Sequence, residues 1–296
     1  MDKQLFDCIL KHVNLKCPNK RKPKYTSEYY LTNIIDLLTD FVKWSSLIKS
    51  INYINKSTYH YKTISDIHKL WSDNGVYENA YIECVQKRNI PKGNVPKDNK
   101  FIELLIDSTL IINKSGIEGI GFGSGCRKKK FTKLTAISTL DTINAAIIVD
   151  KVYNKPVNKP VKKPVKNPND KPYIKMIKTL SHDVKNVEPV IDNLRKIIPK
   201  NIKIKLYGDK GYAMKLIDKN RILKRHNVKI VNIKKKNEKA KNMKKEDDTM
   251  KDRYKVENMF AQIKSYNRIH VRRDKTISSY LGFVYLGCIF KFGKFI

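Results

Sequence analysis

IELLIDSTLIIN, residues 102–113, is a short, strongly apolar run rich in β-branched side chains, the composition of a buried strand. Asp107 stands in its middle, between Ile106 and Ser108. A carboxylate in a buried strand is costly unless it is hydrogen-bonded or bound to a metal. It either caps a neighbouring backbone group or serves as a ligand, and the residues alone leave both readings open. Two other carboxylates share this ambiguity. Residues 202–207 read as another strand, which delivers GDKGY (208–212) at its carboxyl end, so Asp209 sits at a strand tip between glycines that permit a tight turn and close approach of a ligand. Residues 252–266, DRYKVENMFAQIKSY, read as a helix. At about 100° per residue, Arg253, Glu257, Phe260 and Lys264 fall within roughly 60° of one another, so charge and apolar body share one face. That face is either an amphipathic surface with an Arg253–Glu257 pair at i,i+4 or one that looks inward at something polar.

The remaining pattern surrounds these three carboxylates with alternating strands and helices. After the first strand comes a glycine-alternating loop, residues 116–130, ending in Arg127, Lys128, Lys129 and Lys130. Its glycine spacing fits neither a Walker A loop nor a dinucleotide fingerprint, and a mobile basic loop that touches phosphates fits better. Residues 133–139 and 145–152 read as a hairpin turning at 141–144. Asp141 and Asp150 are then turn and strand-end residues without catalytic duty. Residues 154–172 repeat four-residue units, NKPV, NKPV, KKPV, KNPN, whose prolines favour polyproline II and forbid helix or central strand; the tract reads as an insertion in a surface loop. Strand character resumes at 173–179, followed by a helix to about residue 198, the Asp209 strand, a helix over 213–226, a strand over 228–233, a very basic loop over 234–251, the Glu257 helix and an apolar helical segment over 277–292. Upstream, 1–24 is a tail or an extra small helix. From Ser27 apolar residues recur at helical spacing (Ile34, Ile35, Leu37, Leu38, Phe41, Trp44, Leu47), then Tyr61, Ile64, Ile67, His68 and Trp71 before Gly75, then residues 76–85. Three short helices with a tight turn resemble a helix-turn-helix unit, and a plain helical bundle is the other reading. Residues 91–100 read as a linker, dividing a helical domain over 25–90 from an α/β domain over 101–296.

Composition narrows the partner. Against 28 acidic residues stand 62 Lys and Arg in 296 residues, a formal net charge of +34. Such an excess opposes a compact fold unless a polyanion neutralises it, and nucleic acid is the first candidate. A membrane is not expected, since no basic amphipathic helix has a clean apolar face and the longest apolar run is too short to span a bilayer. With no signal-peptide pattern, an intracellular, soluble protein is expected. Five cysteines, at 8, 17, 84, 126 and 288, form no CxxC pair and the six histidines are scattered, so no zinc site of familiar spacing can be drawn and reduced thiols are expected. Three carboxylates on a strand, an adjacent strand tip and a helix face suit two Mg²⁺ ions, for which Mn²⁺ can substitute, and point to phosphodiester chemistry.

IDST at 106–109, GDKGY at 208–212 and the run from Arg253 to Lys264 resemble the three blocks of insertion-sequence DDE transposases, close to the Harbinger-like branch. In that family a Tyr, an Arg, the catalytic Glu and a Lys follow with two, three and six residues between them; Arg253, Glu257 and Lys264 keep the spacing, and Met250 takes the tyrosine position. Similarity extends through TLSHD at 179–183 and YLGFVYLG at 280–287, and the helical segment from Tyr59 to Glu83 is similar to the amino-terminal DNA-binding part of such proteins. The resemblance implies an RNase H-like mixed sheet flanked by helices, preceded by a small all-α helix-turn-helix-like domain. It implies Asp107, Asp209 and Glu257 as catalytic metal ligands, and Arg127, Lys128, Lys129, Lys210, Arg253 and Lys264 as contacts to DNA or to Glu257. The implied partner is double-stranded DNA, both transposon ends and target, bound by a homodimer. The alternatives are a domesticated, inactive DNA-binding protein and an RNase H-like nuclease that cuts without joining.

Overall fold

The structure, a computed structural model, describes residues 3–18, 25–40, 43–55, 60–87, 101–122, 130–139, 144–149, 152–156, 176–180, 182–232, 252 and 254–293. Five helices come first: α1 (Lys3–Lys16), α2 (Ser27–Thr39), α3 (Trp44–Asn55), α4 (Tyr61–Asp73) and α5 (Val76–Lys87). Residues 1–24 therefore hold a packed helix, because Leu5, Cys8, Ile9 and Val13 recur at helical spacing and bury one face of α1 against α5. The apolar pattern that begins at Ser27 is divided between α2 and α3. Thr26 starts α2 by accepting a hydrogen bond from the Tyr29 amide at 3.2 Å. Gly75, at φ +69°, makes the turn between α4 and α5 in the left-handed region where a side chain is strained.

The α/β part follows in the order β1 (Ile102–Asn113), β2 (Gly121–Phe122), β3 (Lys130–Thr139), β4 (Asn144–Val149), β5 (Val152–Pro156), β6 (Met176–Leu180), a 3-10 turn at Asp183–Asn186, α6 (Val187–Leu194), β7 (Ile204–Gly208), a 3-10 turn at Lys210–Tyr212, α7 (Leu216–His226), β8 (Val228–Asn232), α8 (Tyr254–Lys264), α9 (Asn267–His270), β9 (Val271–Arg272) and α10 (Ile277–Phe292). One open mixed sheet contains every described strand, in the path β5-β6-β2-β3-β1-β7-β8, with β4 also on β3 and β9 on the far end of β1. β1 and β3 are antiparallel, as are β3 and β4, whereas β7 and β8 run parallel to β1 and to each other. The Lys/Pro-rich tract enters β5, whose Asn154–Pro156 pair with β6. β5 lies at the sheet edge, where one side of the strand needs no ladder partner and proline is tolerated. The rest of that tract, the 91–100 linker, the 234–251 basic loop and the residues Asp141 and Asp150 lie outside the described residues.

Helices flank the sheet: α6 packs on β3 and β4, α7 on β8, and α8 on β1 and β3. The apolar segment over 277–292 is α10, buried on nearly every side because it has neighbours all round, α4 and α5 on one flank and α8 and α9 on another. Its Gly282 and Gly287 let Ser72 of α4 and Ile269 of α9 approach closely. The core of the amino-terminal helices thus continues into that of the sheet. No described helix is long and apolar enough to cross a membrane.

Candidate active site

β1 is buried from Leu104 to Ile106 and emerges at Asp107, which is half-buried, as are Ser108 and Thr109. The expected buried aspartate is therefore an aspartate at the point where a core strand meets solvent, with a smaller desolvation cost. Asp107 Oδ1 accepts from the Ser108 amide at 2.8 Å. The parallel pairing of Ile106 with Gly208 brings the next residues of both strands, Asp107 and Asp209, level with each other at neighbouring strand positions.

Successive strand residues point to opposite faces, so Asp107 shares its face with Thr109. The Lys264 amine of α8 donates to Thr109 Oγ1, which identifies that face as the one α8 covers. Burial pushes the Lys264 amine below its ordinary range. Glu257 lies on the same side of α8, seven residues and about 10 Å earlier along the axis, with Phe260 buried between them and Glu257 itself exposed. Asp107 thus lies on the sheet face that α8 covers, and Glu257 lies exposed on the first turn of the same helix. Their oxygens and those of Asp209 are not gathered within 4.8 Å of one another; among the described residues the three-residue group that meets that spacing is Cys8, His12 and Glu83.

The opposite face of β1 carries contacts that the sequence reading passed over. Ser108 Oγ is 2.6 Å from the Tyr212 hydroxyl and 2.7 Å from Thr135 Oγ1. Tyr212, fully buried, thereby holds the GDKGY turn against β1. Within the turn Asp209 Oδ1 accepts from the Gly211 amide at 2.7 Å. Both glycines are there for space: a Cβ on Gly208 would stand 3.0 Å from Ile106 Cγ2, and one on Gly211 would stand 2.8 Å from Asp183 Oδ2 and 2.9 Å from Asp209 Oδ1. Asp183 therefore approaches Asp209 across the bare Gly211 Cα, and it is ion-paired to Lys133, a buried amine in β3. Asp183 was visible in TLSHD. The buried Lys133 left no signal, because a lysine at the first position of the strand read over 133–139 is ordinarily solvated.

Lys210 is exposed beside Asp209. Arg127, Lys128, Lys129, Arg253 and Met250 lie outside the described residues. The donor set Asp107, Asp209 and Glu257 is all hard oxygen and reachable from solvent, the chemistry that suits Mg²⁺.

Comparison with known families finds that residues 178–287 fit the family described as Transposase DDE domain, a span that includes Asp183, Asp209 and Glu257 and leaves out β1 with Asp107. The putative transposase for insertion sequence element IS6501 of Brucella ovis is 42% identical over 38 residues, 13% of this chain and 29% of that protein. Among solved structures, the piggyBac transposase synaptic complex with hairpin DNA aligns with 80% of this chain and 49% of its own, at a TM-score of 0.37 and 10% identity. The carboxyl-terminal part of the chain is thus similar to transposase DDE domains, and the match to the Brucella ovis protein spans less than a third of that protein's length.

Proposed function

We propose that this protein is a DDE transposase of insertion-sequence type, close to the Harbinger-like branch. A water oxygen attacks a phosphorus at a transposon end and the P–O3′ bond breaks, leaving a 3′-OH and a 5′-phosphate. That 3′-oxygen then attacks a target phosphorus in line, forming a new P–O3′ bond and releasing the target 3′-OH. The register of Ile106 with Gly208, which levels Asp107 with Asp209, is the observation that carries this reading. Asp107, Asp209 and Glu257 would hold two Mg²⁺ ions, or Mn²⁺ in their stead; when bound, these activate the attacking oxygen and stabilise the leaving one. Tyr212 and Ser108 hold the Asp209 turn, and Lys264 fixes α8 to β1 two residues from Asp107. Lys210, Arg127, Lys128 and Lys129 meet phosphate, and Arg253 and Lys264 orient Glu257 or meet phosphate.

The RNase H-like assignment is supported by the order β4-β3-β1-β7-β8, with three antiparallel strands followed by two parallel to β1. For the amino-terminal helices as a DNA reader, the available surface is on α4: α5 is covered on most sides, whereas α4 exposes Tyr61, Lys62, Asp66, Lys69 and Leu70. The protein acts as a homodimer wherever its double-stranded DNA lies.

The test is nicking and joining of DNA that carries the native flanking ends, with Mg²⁺ or Mn²⁺, comparing wild type with Glu257→Gln. Metal-dependent cutting and joining lost in the variant is the expected result. The separation of the three carboxylates favours a second reading, an inactive DNA-binding protein, which binding without cleavage in both proteins would establish. Cutting without joining would instead make the protein a nuclease. Asp209→Asn should abolish nicking and leave salt-sensitive DNA binding nearly unchanged; equal loss of both would remove Asp209 from the metal-ligand role.

A further inference from the structure

Far from the carboxylates, α1 and α5 bring together a second set of ligating side chains. Cys8 and His12 stand one turn apart on α1, and Glu83 and Cys84 are consecutive on α5. Cys8 is 6% exposed and Cys84 4%, and the side chains of His12 and Glu83 are 12% and 20% exposed. One ligand atom each from Cys8, His12 and Glu83 lies within 4.8 Å of the other two, and the Cys84 thiol stands beside Cys8 just outside that set. His12 Nε2 is 2.9 Å from Glu83 Oε2, while its Nδ1 is buried without a partner. A helix-helix contact needs none of this, since small apolar residues would bury the same area without stranding a ring nitrogen.

We infer that Cys8, His12, Glu83 and Cys84 form a structural site for a thiophilic divalent cation, Zn²⁺ by preference, that staples α1 to α5. Two thiolates, an imidazole and a carboxylate are borderline-soft donors in the number a tetrahedral zinc site takes. Bonds of about 2.0–2.3 Å set tetrahedral ligands about 3–4 Å apart, within reach of the spacing of Cys8, His12 and Glu83, and Cys84 completes the set by turning its thiol inward. Glu83 already holds two cations, with Lys11 Nζ 2.9 Å from its Oε2 and Lys87 Nζ 2.8 Å from its Oε1. Binding replaces the protons of both thiols, releasing them to solvent, and the cation takes the place of Lys11 at Glu83 Oε2. The site opens to solvent at Glu83.

The experiment uses the full chain, reduced and stripped of metal, titrated with Co²⁺ and then Zn²⁺. A sulfur-to-cobalt charge-transfer absorption should saturate at one equivalent, disappear on adding Zn²⁺, and be absent from Cys8→Ser and Cys84→Ser. Zn²⁺ should raise the melting temperature of wild type and not of these variants. No absorption at one equivalent would overturn the proposal, as would the same absorption in the doubly substituted protein, which would move the metal to Cys17, Cys126 or Cys288. A Cys8–Cys84 disulfide that persists under reductant would also overturn it. Should the serine variants fail to fold, His12→Gln decides: a Co²⁺ affinity at least tenfold weaker upholds the site and an unchanged one refutes it.

Discussion

At the residue scale, the buried imidazole of His68 carries a pH dependence that has nothing to do with chemistry on DNA. Its Nε2 lies 2.9 Å from the Ser279 carbonyl and Nδ1 3.2 Å from the Tyr77 hydroxyl, with the ring stacked on Phe283 at 4.1 Å. Burial lowers its pKa to about 4, Asp274 and the Ser279 carbonyl offsetting part of that fall. The unfolded chain binds the proton near its ordinary value of 6.5 while the native chain does not, so stability is complete above that pH and lost as pH falls towards 4. The loss amounts to roughly 3 kcal/mol. Urea unfolding at pH 7.5 and 4.5 should show wild type losing that much more than His68→Gln; equal losses would exclude His68 as the source. Gly211 is the second position where one atom matters. In Gly211→Ala the new methyl must push Asp183 or Asp209 aside, so nicking should fall by at least tenfold while the melting temperature moves by a few degrees at most. Unchanged nicking would show that the turn can open without cost to the reaction.

At the element scale, α10 is the piece on which the other helices converge. Arg268 of α9 is 2% exposed, paired with Asp274 at 2.7 Å, and lies over the rings of Trp44 and Phe283. Removing one partner of a buried pair strands the other, so Asp274→Ala should destabilise by about 3–5 kcal/mol in chemical denaturation. A loss under 1 kcal/mol would mean that water reaches Arg268. Gly282 of α10 faces Ser72, Tyr77 and His68, and Gly282→Ala should cost about 1–3 kcal/mol by overpacking against α4. Arg272, fully buried, ties the β9 end of the sheet to the loop after β1 by donating to the Glu118 carbonyl at 2.7 Å, and to β3 by donating to Thr132 Oγ1 at 2.9 Å. These contacts join the helical and sheet parts into one packed unit, so a single unfolding transition is expected.

At the scale of the whole molecule, the proposed function and the net charge of +34 together predict a salt-sensitive affinity for DNA. Each phosphate neutralised releases counterions, so a chain making six to ten such contacts should lose about 10³–10⁵ in affinity between about 50 and 200 mM salt. Fluorescence anisotropy on a duplex without native ends measures that slope. A flat salt response would show that the lysines do not track the backbone, and the charge would then need another account.

Much of this molecule is legible in its linear order. Periodicity, β-branched runs and Gly/Pro punctuation act over a few residues, so the mid-strand Asp107, the strand-tip Asp209, the Glu257 helix and the bounds of α10 could all be read from the sequence alone. The break between α2 and α3 could not, because apolar spacing continued across it. The tertiary structure decided what is adjacent to what: that β7 lies parallel beside β1 in a register that levels two aspartates, that β1 surfaces at Asp107, and that Lys264 reaches Thr109. It also brought together His12 and Glu83 from 71 positions apart. Such pairings depend on how whole apolar faces close over one another, and a local pattern is compatible with many closures.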